Sequence, residues 1–142
     1  MVEITYKAIL GAVLLCCGVQ DIFGKKIMLW VLVLGAFLMG ICIPFCNSPS
    51  ILDRIGGIGI GVAVIMISIA TAGKIGLGDG LILCLTGLGL GFWANLELFA
   101  IALMIAAIVS IILLIARLAD RKKSIPFVPF LLIGYIILML VG

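Results

Sequence analysis

The sequence has no histidine and few charges: nine Lys and Arg and six Asp and Glu among 142 residues. Without histidine, both the commonest metal ligand and the commonest general base at neutral pH are missing. Charged residues make up 11% of the chain and hydrophobic ones 66%, with a mean hydropathy of +1.55. A soluble domain of this size could not hide so much apolar surface. The five cysteines show no metal-ligand spacing and read as small packing residues. No metal or cofactor is expected. The start, "MVEITYK", lacks the basic region and cleavage site of a signal peptide, so the first apolar run is expected to be retained. Nothing resembles a linker or an internal repeat. Residues 1–142 therefore read as a single transmembrane domain.

The apolar runs suit an all-α, polytopic membrane helix bundle of about six spans. Their expected bounds are Ile4–Gln20, Met28–Cys46, Ile55–Gly73, Gly80–Trp93, Leu96–Ile115 and Ile125–Val141. Basic residues set the orientation. Lys25 and Lys26, then Lys74, then Arg117, Arg121, Lys122 and Lys123 follow spans one, three and five, whereas the opposite side has Arg54 and, near the N-terminus, Lys7. The positive-inside rule puts the first group in the cytoplasm and both termini outside. Small-xxx-small spacing in "GIGIG" (57–61) and "GLGLG" (87–91) favours close helix packing.

Two of the six acids stand apart. Asp21 ends the first span and Asp79 precedes the fourth, each with apolar sequence on both sides and each at the cytoplasmic edge. If the bundle brings those ends together, the two carboxylates meet at one depth. Such a pair shares a proton, because both ionising together is unfavourable. The ionised member takes a proton from water and the protonated member donates to the scissile carbonyl or leaving amine. This gives peptide hydrolysis without His, Ser or metal. Gly76, Gly78 and Gly80 flank Asp79 and leave room for a substrate backbone. The plainer alternative is that Asp79 caps a helix.

Three segments resemble type IV prepilin peptidases in their short, peptidase-only form. In "DIFGKKIMLW", Asp21, Lys25, Lys26, Ile27 and Trp30 match, while Met28 and Leu29 replace the usual Pro and Asn. In "GLGDGLILCLTGLGLGFW", Gly76, Gly78, Asp79, Gly87 and Gly91 match, and Leu81 replaces the usual Lys. In "SIPFVPFLLIG", Pro126, Phe127, Pro129, Phe130 and Gly134 match. The G-x-G-D motif is shared with presenilin and signal peptide peptidase, and the third segment and the small size favour the prepilin group.

The resemblance implies that Asp21 and Asp79 are catalytic, at the cytoplasmic face of the inner membrane. It implies as substrate a prepilin or pilin-like precursor, with a short basic leader and a hydrophobic helix, cut after a glycine. No loop is long enough for the segment with which larger members N-methylate their product, so leader peptidase activity alone is expected. The expected partners are that precursor and the lipid bilayer, not nucleic acid. The competing classes are a small transporter or channel subunit, with the aspartates binding cations or protons, and a catalytically silent scaffold.

Overall fold

The computed structural model describes the chain except residues 25–27, 48, 74–75 and 119–124, and except the side chain of Val2. Lys25, Lys26, Ile27, Lys74, Arg121, Lys122 and Lys123, which set much of the expected orientation and part of the resemblance, lie outside the described residues. The described residues form six α-helices and no strand: α1 (Val2–Gly24), α2 (Leu29–Cys42), α3 (Ile51–Ala70), α4 (Leu77–Leu90), α5 (Phe92–Ile115) and α6 (Val128–Val141). A 3-10 turn, Ile43–Phe45, holds Pro44 at the end of α2.

Several boundaries differ from those read in the sequence, each for a local reason. α1 continues past Gln20 to Gly24, so Asp21 lies inside its last turn. α3 starts at Ile51 rather than Ile55, because the Ser50 side chain accepts the Asp53 amide and caps the helix. The break between the fourth and fifth helices falls at Gly91, not between Trp93 and Leu96. Gly91 has φ +83°, a conformation that disfavours a side chain, and it ends α4 and starts α5 in one residue. α6 starts at Val128, with Pro129 in its first turn, where a missing amide is tolerated.

α1, α3 and α5 are long and apolar enough to cross a membrane. α2, α4 and α6 have 14 residues each, about 21 Å of helix, less than the roughly 30 Å hydrocarbon core. The outer surface is strongly apolar. α5 alone exposes Leu103, Met104, Ile108, Ile111, Ile112 and Ile115. Water would penalise such a surface and lipid would not.

α4 is the hub, touching α1, α2, α3 and α5. Its Ile82, Leu83 and Leu85 are buried with Leu10 and Leu14 of α1, Met39 of α2 and Leu98 of α5. The tightest contact is with the antiparallel α3. Gly57 lies against Gly87, Gly61 against Cys84 and Gly80, and Gly80 in turn against Ile65. A Cβ on Gly57 would sit 2.8 Å from Gly87 Cα, so the two backbones touch with nothing between them.

At this hub's far end from Asp79, a buried polar cluster fixes α3, α4 and α5. Asn95, fully buried in the first turn of α5, donates to Gly57 O and Leu83 O at 3.1 Å each and accepts from Thr86 Oγ1 at 2.6 Å. Arg54, which the sequence places beside the third span on the outer side, is in the first turn of α3 and only 4% exposed. Its Nε donates to Pro49 O at 3.1 Å and its Nη1 to Leu88 O at 2.7 Å. The guanidinium thus sits on a carbonyl of the last turn of α4, where the helix dipole favours a cation. The five cysteines are all free. Cys17 is buried in the core, and the Cys84 thiol points to Ile58 O at 3.7 Å.

Candidate functional site

The C-terminal end of α1 and the N-terminal ends of α4 and α6 come together at one end of the bundle. Asp21, in the last turn of α1, is 9% exposed, although it is ionisable and forms no ion pair among the described residues. Its Oδ2 accepts a hydrogen bond from the Val128 amide at 3.2 Å. That bond joins residues 107 positions apart in sequence. Asp79 is half-buried in the first turn of α4, and the Asp21 carboxylate is close enough for its charge to act on it. The two acids singled out in the sequence, 58 positions apart, therefore lie within electrostatic reach of one another.

Asp79 does not itself cap α4. The N-cap is Gly76, and Asp79 is the third helical residue, its amide bonded to Gly76 O at 3.2 Å. Its carboxylate folds back over that glycine. A Cβ on Gly76 would lie 3.0 Å from Asp79 Oδ2, tighter than ordinary contact. The missing side chain at 76 is therefore space taken up by Asp79's own carboxylate. The missing side chain at Gly80 has a different cause: a Cβ there would meet Ile65 Cγ1 at 2.5 Å on α3. Gly80 lets α3 approach α4, and Gly78 is half-buried in the first turn of α4. Close packing against α3 accounts for Gly80, whereas Gly76 is exposed and meets only the Asp79 side chain.

The neighbouring residues that depart from the prepilin-peptidase pattern have physical settings of their own. The Met28 amide donates to Gln20 Oε1 at 3.1 Å, tying the start of α2 to the last turns of α1 beside Asp21. The proline usual at this position has no amide to give. Leu81, where a lysine is usual, lines an apolar cavity of about 280 Å³ between α2, α3 and α4, together with Leu29, Leu32, Ile58 and Leu85. An ammonium there would lie among groups that offer it no partner. Among the described residues no three His, Cys, Asp or Glu side chains gather as a metal site would require.

Three features of this region are invisible in the sequence pattern: the Val128 amide on Asp21, the Gln20 bond to Met28 and the seating of Leu81 in the cavity. The first two involve backbone amides, which every residue but proline carries. Only the S-I-P-F-V-P-F segment, similar to a motif, marked the α6 end at all. Comparison of the chain with protein-family models, with curated proteins and with solved structures gives no match.

Proposed function

We propose that this protein is a membrane aspartic endopeptidase that removes the short basic leader from prepilin-like precursors. The observation that carries the reading is the approach of Asp21 and Asp79, one buried and one half-buried, at a single end of an apolar helical bundle. Burying ionisable groups in such a bundle is costly and usually functional. In the proposed fold all six helices belong to the membrane bundle, with the ends of the short α2, α4 and α6 covered by protein or headgroups rather than by hydrocarbon. The excess of basic residues in the sequence after α1, α3 and α5 supports a cytoplasmic position for the dyad.

The chemistry needs only the two carboxylates and water. The ionised carboxylate takes a proton from water as the water oxygen bonds to the scissile carbonyl carbon. The protonated carboxyl donates to the carbonyl oxygen. The tetrahedral intermediate then collapses, the C–N bond breaks, and the departing amine leaves with a proton from the dyad. One water is consumed and one carboxyl and one amino terminus appear. The apolar flank of the bundle suits a substrate whose residues after the cut continue as a hydrophobic helix.

The test is direct. Purified protein in lipid vesicles is incubated with a synthetic precursor that has a basic leader, a glycine at its end and a hydrophobic helix. Mass spectrometry should show a single cut after that glycine. An intact precursor, together with proton or cation flux through the same vesicles, would replace this reading with a transporter.

A further inference from the structure

We infer that the first turn of α6 is a positioning element for the dyad: the Val128 amide holds Oδ2 of Asp21, and Oδ1 is thereby assigned to take the proton from water. This rests on the peptidase reading and adds to it a role for the P-F-V-P-F segment beyond starting a helix.

The hydrogen bonds of that turn can be counted amide by amide. A helix begins with four amides that have no intrahelical partner. Here those positions are Phe127 to Phe130, and the third, Pro129, has no amide. The amides of Phe130 and Leu131 both donate to Phe127 O, at 3.0 and 3.2 Å. Val128 is left as the amide of that turn directed elsewhere, and it points at the buried Asp21 carboxylate. A proline at 129 thus makes the turn offer one donor rather than two. One oxygen of Asp21 is oriented and the other is not competed for.

The element is itself tied to α1. The Tyr135 hydroxyl, two turns further along α6, donates to Lys7 O of α1 at 2.7 Å. Pro129 lies against Gly18, and Tyr135 against Gly11, on the same face of α1 that leads to Asp21. α1 and α6 are therefore tied at two levels, and a bond between a helix start and a carboxylate keeps its direction only when both helices are fixed. A carboxylate free to rotate would share its oxygens between water and Asp79 without preference, so the bond acts on turnover more than on binding.

The experiment compares three forms of the purified protein: Val128→Ala, which keeps the amide; Val128→Pro, which removes it; and a chain with an ester in place of the amide at 128. The ester serves because Phe127 is helical, and a following proline disfavours that conformation. The ester and Val128→Pro should lower kcat about ten- to a hundredfold with KM unchanged, and both should fall well below Val128→Ala, which loses buried side-chain packing but keeps the donor. An ester form with wild-type kcat, or one whose KM rises while kcat holds, overturns the inference. Asp21→Asn in the same assay separates the two levels. If it cleaves normally, the peptidase dyad itself fails; if it is inactive while the ester form is fully active, only the positioning role fails.

Discussion

Asp21→Asn and Asp79→Asn should each lower leader removal by at least about 10³-fold while leaving the protein folded. Asparagine has the shape of aspartate and cannot take or give the proton. At position 21 an amide oxygen can still accept from Val128, now at 3.2 Å from Oδ2, so the link between α1 and α6 survives the change. At position 79 the side chain stays folded over Gly76, which has room for it. Both losses therefore report on chemistry and not on packing. Because the two groups act as one unit, the double substitution should cost little more than either alone. Initial rates from quantified peptide products, with thermal unfolding of each variant as the control, check this. Activity within tenfold of wild type in either single variant would remove that residue from the mechanism.

Gly87→Ala should destabilise the protein by about 3 kcal/mol or more, far beyond the usual effect of one methyl group. Its Cβ would fall on the backbone of Gly57, and backbone cannot rotate out of the way as a side chain can. α3 and α4 must separate, and the bonds from Asn95 to Gly57 O and Leu83 O stretch with them. Since α4 carries Asp79, activity should fall together with stability. Gly59→Ala is the matched control, two residues along α3 from Gly57, where a Cβ meets nothing within 4 Å. There the gain in helix propensity is unopposed, and stability should hold or rise by up to about 1 kcal/mol. Denaturant unfolding in detergent distinguishes the two. Equal stability of the two variants would mean that the glycine contact does not hold the helices together.

What could be read from the sequence was set by local chemistry and by composition. Six apolar runs became six helices, because hydrophobicity and length are local properties. Asp21 and Asp79 were recognisable because a carboxylate in an apolar setting is rare enough to notice. The glycines of 57–61 and 87–91 announced close packing, and two of them, Gly57 and Gly87, meet. The sequence was less informative about the purpose of each glycine near Asp79, since a missing side chain does not reveal what fills its place. Gly80 makes room for α3 and Gly76 for Asp79 itself.

The buried polar residues were hidden for a related reason. Arg54 and Asn95 bond mainly to carbonyls of Pro49, Leu88, Gly57 and Leu83, and a carbonyl leaves no mark in a sequence. Arg54 looked like one more loop charge, and only the packing of α3 on α4 buries it. Helix ends moved for equally local reasons, such as the Ser50 cap and the positive φ of Gly91, which shift a boundary by a few residues without altering the pattern of apolar runs.

The separation of residues 21 and 79 in a bilayer is the measurement closest to the central claim. The five native cysteines are replaced by alanine, single cysteines are placed at 21 and 79, and a bifunctional thiol reagent only a few ångströms long is added to the protein in vesicles. The expected result is a linked peptide pair in high yield, against almost none for a control pair at 21 and 47. Equal and negligible yields from the two pairs would show that the carboxylates do not meet, and the dyad would fall with them.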